Sequence, residues 1–489
     1  MKKLLLGILG LGLLLAGCQE KEEGPAQKAA GPKLVSTVPA DGAQGLTGSE
    51  LTVKMTFDQN IKCPSDKQAL ITIDGEASVD NVNAYMTDLT IKVSGLEGGT
   101  YVLTVPAGAV QGYRPNQEGS EEVKLTFSMK EIIDYVLEPE VVLVNPKASK
   151  EARNVYNFLL EQSGKKTLSG VQSSHSHKND FVDAVYKHTG KHPALAGYDF
   201  LFLQFSPTPD NWSWVQNYND ISAPKEQWAA NGLVNYMWHW NVPNSKADWD
   251  NGVNNYNFDG YAFYCDKTSF DIREALKEGT WQHDFIMKDI EEVAGYLQLL
   301  ENENIPVIWR PLHEAAGNYN LYGPNGAWFW WGRHGAEPCK QLWRLLYDQL
   351  VNVYGLDNLI WVWTVDVTKG AEDQYLDWYP GDEYVDILGV DIYETNTDAK
   401  TRQYQAMVDM TKGKKLVTVS ECGNIPDPAK CMNAGNKWSW FMVWCNSDSN
   451  GNIVLTPSDG NFNLNTGEYW KKVMSSPYVM TRESMPSLK

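Results

Sequence analysis

The chain has 489 residues, of which 43% are hydrophobic, and it carries a formal net charge of −19 with a sequence pI near 4.9. This length exceeds one ordinary domain and suits a small domain followed by a large one. The acidic balance argues against nucleic acid as a partner, because phosphate binding requires clustered lysine and arginine, and the sequence shows no zinc-finger spacing, P-loop or dinucleotide-binding glycine motif.

The first 17 residues have the pattern of an export signal. Two lysines precede an apolar run, and small residues then lead to Cys18 in the sequence "LAGC". The apolar run is too short for a confident membrane span. "LAGC" resembles a bacterial lipobox, and this resemblance implies cleavage before Cys18 and a lipid on its sulfur. An ordinary signal peptide with an incidental cysteine is the alternative.

Residues 18–33 are polar and rich in Gly, Pro and Ala, which is typical of a flexible tether. Since no other segment could span a membrane, the sequence predicts an exported bacterial lipoprotein, anchored through its lipid at the outer membrane or cell surface. The cysteines after Cys18 lack the spacing of a disulfide framework or a zinc site. Cys422 and Cys431 could close a small loop, or they could be free buried thiols.

Residues 34–130 alternate apolar and polar side chains with the period of a β-strand. Gly, Pro, Asn and Asp separate the alternating runs, so the segment is predicted to be an all-β sandwich. The motifs "VPADGA" and "MTFDQNIK" resemble a bacterial Ig-like domain. The segment has no catalytic cluster, and its expected role is that of a spacer or an accessory module. Residues 131–149 are the expected linker.

From residue 150 to about residue 480, short apolar strands alternate with helical patterns. Eight strands with helical spacers predict an α/β fold, a (β/α)8 TIM barrel. A doubly wound open sheet is the alternative, but that fold usually has an early phosphate-binding glycine turn, which is missing here. The candidate strands are 167–172, 193–200, 233–240, 306–314, 359–366, 386–393, 415–423 and 439–446, and two helical patterns are 285–304 and 339–355.

Polar and aromatic residues stand at the predicted C-terminal ends of these strands, where the active site of a (β/α)8 barrel lies. Alternation along a strand indicates which of the neighbouring residues share a face, and carboxylates pointing into the barrel are consistent with it. The strand-end residues are Asp199, His239, Glu314, Asp366, Tyr393, Glu421 and Trp444. The shared faces are Arg310 with Glu314, Asp391 with Tyr393, and Val417 and Val419 with Glu421.

Glu314 and Glu421 are the candidate catalytic pair. Two carboxylates on different strands are the apparatus of glycoside hydrolysis: one protonates the leaving oxygen, and the other attacks the anomeric carbon or activates a water. A structural ion pair between Glu314 and Arg310, with Glu421 capping a turn, is the alternative. The 19 Trp and 24 Tyr support a sugar ligand, because "WHW" (238–240) and "WFWWG" (328–332) fall at or after strand ends and indole packs on sugar rings.

Four motifs, "WRPLHE", "WFWWG", "YPGDEYVDILGVDIY" and "SECG", resemble glycoside hydrolase family 26 in their order and spacing. The resemblance covers roughly residues 150–480. This family is dominated by endo-β-1,4-mannanases, so the resemblance implies cleavage of mannan, galactomannan or glucomannan with retention of configuration. It also implies that Glu314 is the general acid/base and that Glu421 is the nucleophile.

The resemblance implies further substrate-binding residues, with one departure from the family pattern. In many members the aromatic run closely follows the HE pair, whereas here "AAGNYNLYGPNG" stands between the pair and Trp328. The roles implied are a hydrogen bond from Tyr393 to the nucleophile, positions beside the reacting sugar for Arg310 and His313, a position near the substrate for His239, a place in the cleft lining for Trp328, and a sugar platform for Trp444.

The expected partner is a β-mannan polysaccharide or oligosaccharide, bound by a monomer. No cofactor is expected, and the "SSHSH" segment at 173–177 lacks a third ligand for a metal. Two alternatives are kept: the same fold acting on β-1,3-xylan or a mixed-linkage β-glucan, and a surface glycan-binding lipoprotein that has lost catalysis. Endo or exo action depends on whether loops such as 241–280 and 315–327 block the cleft.

Overall fold

The computed structural model describes residues 28–46, 50–129, 135–173, 177–208, 216–253, 256–366, 372–444, 446–447, 453–454 and 464–489. The predicted signal peptide, Cys18 and most of the predicted tether lie outside these ranges. The chain divides into two compact units, residues 1–133 and 134–489. Within the described ranges, none of the helices has the length and apolar character that a membrane crossing requires.

The N-terminal unit is an all-β domain, as predicted. Its core forms because alternate residues such as Val53, Met55 and Phe57 are buried while Lys54 between them is exposed. One sheet has the strand order Leu34–Val38, Glu50–Phe57, Asp88–Ser94, Ser78–Tyr85, and the other Ala43–Leu46, Val123–Met129, Gly99–Val105, Thr72–Ile73. A smaller pair joins Ile61–Lys62 to Gln111–Gly112, and one short helix is Ser65–Gln68.

The second unit is a closed barrel of eight parallel strands. Strand one pairs with both strand two and strand eight, so the sheet has no free edge between them and the open-sheet alternative is wrong. A short strand, Val479–Met480, adds to strand one from outside the barrel. Strands one to eight are Thr167–Gln172, Leu195–Asp199, Leu233–Met237, Val307–Arg310, Leu359–Asp366, Ile387–Ile392, Leu416–Cys422 and Trp440–Val443.

Amphipathic helices cover the barrel. The helix Trp281–Asn302 begins at Thr280, whose side chain accepts a hydrogen bond from the backbone of His283, and its apolar stripe is buried. The other α-helices are Lys150–Gln162, Asp180–Thr189, Ser222–Ala229, Lys246–Asn251, Ile272–Ala275, Gly317–Tyr322, Ala336–Tyr347, Thr401–Met410, Pro428–Asn433 and Gly467–Met474. The π-helix Asp348–Val353 follows directly on the helix Ala336–Tyr347. Two short antiparallel strand pairs lie outside the barrel sheet: Val242–Pro243 pairs with Tyr261–Ala262, and Asn446–Ser447 pairs with Ile453–Val454.

The segment 135–149, which lies in the predicted linker, packs on the barrel. The backbone nitrogen of Glu138 donates to the carbonyl of Gly413, and that of Val144 donates to the Asp386 carboxylate at 2.7 Å. These bonds satisfy backbone groups that a free linker would leave to water.

Cys431 is a buried free thiol, so no disulfide joins it to Cys422. Cys63, Cys265 and Cys339 are also buried free thiols. Among the described cysteines the structure therefore favours the alternative of buried thiols over a closed Cys422–Cys431 loop.

Candidate active site

Three adjacent strands bring carboxylates side by side at the C-terminal end of the barrel. Asp366 at the end of strand five is paired in register with Asp391 of strand six, and Asp391 is paired with Glu421 of strand seven. One layer below, Gly389 lies between side chains of its two neighbouring strands, and a methyl group there would stand 2.6 Å from the hydroxyl oxygens of Thr364 and Ser420. The barrel interior is thus narrow and polar at this level.

A β-bulge in strand seven points Glu421 into this row. Strand seven has one more residue than either neighbour between Val419 and Cys422. Val419 lies beside Cys431 of the outer helix layer, whereas the next residue, Ser420, donates to Asp391 at 2.7 Å inside the barrel. The parity that grouped Glu421 with Val417 and Val419 is therefore wrong, because a bulge shifts the alternation by one residue.

Glu314 is positioned by a turn and not by a continued strand. The predicted strand 306–314 ends at Arg310, and the residues Leu312 and Glu314 have φ of 48° and 56°. Left-handed conformations are uncommon for such residues and cost of order 1–3 kcal/mol, and they are often found where function requires a fixed geometry. The Glu314 backbone nitrogen donates to the Thr364 carbonyl at 3.2 Å, which ties the turn to strand five. The shared-face argument for Arg310 and Glu314 does not apply to this turn.

Arg310 is fully buried and joins two of the carboxylates. Its Nη1 donates to Asp391 Oδ2 at 2.8 Å, and its Nη2 donates to Glu421 Oε2 at 2.7 Å. Burial opposes the charge, but the carboxylates of Asp391 and Glu421 outweigh it and raise the pKa of Arg310 above its ordinary value. A buried charge of this kind is stable only with such partners. Arg310 therefore stays cationic and holds Glu421 in place.

Glu421 accepts hydrogen bonds at both carboxylate oxygens. Oε2 receives Arg310, and Oε1 receives the hydroxyl of Tyr393. Burial, and then the charge of Glu421, raise the pKa of Tyr393 well above its ordinary value, so its hydroxyl remains a donor. The two donors fix the orientation of a carboxylate that faces the cavity.

Glu314 lies close to this carboxylate and has the electrostatics of an acid. Oxygens of Glu314, Asp391 and Glu421 lie within 4.8 Å of one another. Burial, followed by the charges of Asp391, Asp366 and Glu421, raises the pKa of Glu314 well above its ordinary value, against the opposing effect of Arg310. A carboxyl that remains protonated beside a fixed carboxylate can donate a proton. Because Arg310 already supplies cationic charge to two of these oxygens, the donor set fits proton transfer better than metal binding.

Asp391 is a site residue to which the sequence analysis gave no role. It accepts from both Arg310 and Ser420, and burial raises its pKa to about 7 while Arg310 acts in the opposite direction. Its position two residues before Tyr393 on the predicted strand 386–393 was the signal available in the sequence.

The candidate substrate-binding histidines lie across the cavity from strand seven. The rings of His239 and His313 are 4.6 Å apart, and His239 is oriented by Asp199 through a bond of 2.6 Å at Nδ1. Burial, and then the charge of Arg310, lower the pKa of His313 well below its ordinary value, so its ring is neutral. The ring of Trp444 lies 5.8 Å from that of His239. Residues predicted on strands three, four and eight therefore meet at one place.

Comparison with known families decides the assignment. The family described as glycosyl hydrolase family 26 matches residues 144–482, and the family described as bacterial Ig-like domain matches residues 28–129. The chain belongs to glycosyl hydrolase family 26. The predicted resemblance of each domain is confirmed.

Several curated relatives of this family 26 chain are named as mannan-degrading enzymes. Mannan endo-1,4-beta-mannosidase B of Piromyces sp. is 34% identical over 71% of this chain, and the chain spans about half of that relative, 54% of its length. Mannan endo-1,4-beta-mannosidase of Thermothelomyces thermophilus is 32% identical over 92% of this chain and 89% of its own length. The crystal structure of a beta-mannanase from a symbiotic protist of the termite Reticulitermes speratus, complexed with gluco-manno-oligosaccharide, is 32% identical, has a TM-score of 0.58 and covers 72% of this chain and 99% of its own.

The aromatic run of the family 26 domain is mostly core. Phe329, Trp330 and Trp331 are buried, whereas Trp328 is 43% exposed. The indole of Trp331 donates to the carbonyl of His313 at 3.0 Å, so the run supports the turn that carries Glu314. Trp328 is the member of the run that can meet a ligand in solution.

A second loop holds this aromatic run in place. The backbone of Trp330 donates to Phe263, that of Cys265 donates to Trp328, and Tyr264 forms a bridge with Phe329. Tyr264 is 47% exposed. Burial, and then the nearby charge of Glu314, raise the pKa of the Tyr264 hydroxyl. The sequence offered no signal for this pairing, which joins segments about 65 residues apart.

The insertion between Glu314 and the aromatic run has a defined structure. It contains the helix Gly317–Tyr322 and a 3-10 turn, Gly323–Asn325. Trp378, in a 3-10 helix after strand five, donates from its indole to Asn320 at 2.9 Å and packs edge-on against Tyr319. The insertion therefore carries a fixed surface beside the cavity, at which Tyr322 is exposed.

Proposed function

We propose that the chain is a retaining glycoside hydrolase that cleaves β-1,4-mannosidic bonds in mannan, galactomannan or glucomannan. The observation that carries the proposal is the approach of Glu314 and Glu421, with oxygens within 4.8 Å. Retaining enzymes need carboxyls about 5–5.5 Å apart, whereas inverting enzymes leave about 6.5–9.5 Å for a water. The mannan substrate is supported by the names of the relatives and by the exposed aromatic side chains around the cavity.

In the first step, Glu421 attacks the anomeric carbon of the bound sugar and Glu314 gives its proton to the departing oxygen. The glycosidic bond breaks as an ester bond to Glu421 forms. In the second step, Glu314, now ionised, takes a proton from a water that attacks the same carbon. The ester bond breaks, Glu421 regains its carboxylate, and the sugar leaves with its original configuration.

Arg310 and Tyr393 act on Glu421 in both steps. Their hydrogen bonds hold the Glu421 carboxylate in position for attack. The same hydrogen bonds stabilise the negative charge that returns to Glu421 when the ester is hydrolysed. Formation of the ester removes one negative charge near Glu314, which lowers the pKa of Glu314 and lets the same group serve as the base.

The experiment is hydrolysis of β-mannan by the chain beginning at residue 18, followed by reducing-sugar release and by NMR of the first products. The proposal predicts β-anomers as the initial products and a mixture of short oligosaccharides from mannohexaose. Hydrolysis of β-1,3-xylan or mixed-linkage β-glucan in preference to mannan would overturn the substrate assignment. Binding of mannan without hydrolysis would leave a glycan-binding lipoprotein as the function.

We also propose that the protein is exported and anchored by a lipid, on the basis of the "LAGC" motif at Cys18, and that it acts as a monomer. Expression in a bacterial host with a labelled fatty acid should label the wild-type chain and not a Cys18→Ala variant. Release of an unlabelled, processed chain would support the ordinary signal peptide. Light scattering of the chain from residue 18 tests the monomer.

A further inference from the structure

Asp366 belongs to the row of carboxylates but has no part in the proton transfers described above. It is the last residue of strand five and is paired in register with Asp391. Thr364, two residues earlier on the same face, has its hydroxyl 3.4 Å from that of Ser420 and points into the barrel. By the same alternation, the side chain of Asp366 extends the interior row toward Glu314.

Gly317, three residues after Glu314, admits Asp366 to this position. A methyl group built on Gly317 would lie 2.5 Å from Asp366 Oδ2 and 3.0 Å from its Cγ. Gly317 does not have a positive φ, so the backbone conformation alone does not require glycine. What requires glycine here is the close approach of the carboxylate. The turn that carries Glu314 is therefore built to accept Asp366 against it.

Among the charged groups that act on Glu314, three are negative and one is positive. The charges of Asp366, Asp391 and Glu421 act on it from strands five, six and seven, and that of Arg310 acts on it from strand four. Two further groups, Tyr264 and Tyr393, remain neutral because burial raises the pKa of each. Arg310 forms ion pairs with Asp391 and Glu421, so these two carboxylates offset most of its effect on Glu314. The negative charge of Asp366 then acts directly on Glu314.

We propose that Asp366 is a positioning residue whose carboxylate, seated against Gly317, keeps Glu314 protonated until a glycosidic bond is ready to break. The inference rests on the proposed function, since it concerns the same acid. Asp366 keeps its negative charge in both steps, whereas Glu421 loses its charge when the ester forms. Asp366 thus contributes to the raised pKa that Glu314 has before the first step, and this pKa falls when the ester forms.

The test is the pH dependence of kcat/KM for mannohexaose in Asp366→Asn. Removal of a negative charge makes ionisation of Glu314 easier, so the pKa of Glu314 falls and the basic limb of the profile moves to lower pH, by about one unit. Asp366→Glu, which keeps the charge, should return the limb toward its wild-type position. Asp348→Asn is the matched control, because it removes an exposed carboxylate from the outer helix layer and should leave the limb unchanged.

A second variant covers the case in which Asp366→Asn fails to fold. Gly317→Ala pushes the carboxylate aside without removing it and should move the limb in the same direction. An unchanged basic limb in a folded Asp366→Asn or Gly317→Ala variant overturns the inference.

A readout without substrate separates this inference from the proposed function. Titration of carboxyl-labelled glutamate by NMR, with Glu314 assigned through Glu314→Gln, reports its pKa directly. If the wild type fails to cleave mannan, the function is wrong, yet the titration still decides the role of Asp366. An identical Glu314 titration in wild type and Asp366→Asn overturns it.

Discussion

Arg310 Nη2 donates to Glu421 Oε2 across 2.7 Å, joining strand four to strand seven inside the barrel. The guanidinium is fully buried and the carboxylate almost so. Its other terminal nitrogen holds Asp391, so one cation fixes two anions that would otherwise repel each other. The proposed nucleophile is thus oriented by a group that cannot lose its proton.

Glu421→Ala should abolish turnover while mannan binding is kept. Loss of the attacking carboxylate is expected to lower kcat by about a thousandfold or more. Reducing-sugar assays measure the first effect, and affinity electrophoresis in mannan gels measures the second. Azide should restore some activity and give a product of inverted configuration, because a small anion fits the space left by the side chain. Near-normal hydrolysis by this variant contradicts the assignment.

Glu314→Gln should slow the release of poor leaving groups most. Natural mannans need a proton on the departing oxygen, whereas an activated aryl leaving group does not. A burst of aryl alcohol followed by a slow steady state is expected, because the second step still lacks its base. The basic limb of kcat/KM, which reports ionisation of the raised Glu314 carboxyl in the wild type, should vanish. Equal losses on both kinds of substrate would argue against the acid role.

Arg310→Ala should destabilise the barrel domain by about 3–5 kcal/mol, because Asp391 and Glu421 would remain as buried anions without their cation. All 19 Trp lie at residue 212 or later, so Trp fluorescence during urea unfolding follows the barrel domain alone. Asp391→Asn in the same chain should recover part of the loss. Additive effects of the two substitutions would show that the pair is not coupled.

Trp328→Ala should weaken mannan binding, whereas Trp331→Ala should lower the stability of the barrel domain. Trp328 is 43% exposed, so its loss should raise KM for mannan several-fold with little change in the unfolding midpoint. Trp331 is buried and supports His313, so its loss should cost about 3–5 kcal/mol of stability. The two variants act as controls for each other, and a stability loss in Trp328→Ala equal to that in Trp331→Ala would contradict the surface role.

The barrel could be predicted, and Glu314 and Glu421 could be proposed as its catalytic pair, because their signals are local. Each strand is a short apolar run, and Glu314 and Glu421 stand at strand ends within recognisable motifs. The face of each side chain could not be predicted from alternation alone. The left-handed residue at Glu314 and the extra residue in strand seven both break the period of two, and only the paired neighbours reveal them.

The surroundings of the pair were harder to predict for another reason. Asp391 becomes important through Arg310, which is 81 residues away in sequence. The loop at Tyr264 meets Phe329 through a backbone bridge that has no pattern of its own. In the run "WFWW", one side chain is exposed and three are buried, and composition does not distinguish them. Such distinctions depend on tertiary contacts between distant segments.

The extra residue in strand seven makes chain length, and not only chemistry, a determinant of this active site. Deletion of Ser420 would leave both glutamates, Arg310 and Tyr393 in the sequence. Realigned with its neighbours, Glu421 would follow Val419 directly and take the inward position of Ser420, and Asp391 would lose the hydrogen bond that Ser420 donates. The bulge thus gives strand seven two successive side chains that face the barrel interior, Ser420 for Asp391 and Glu421 for Arg310, where a regular strand would offer one.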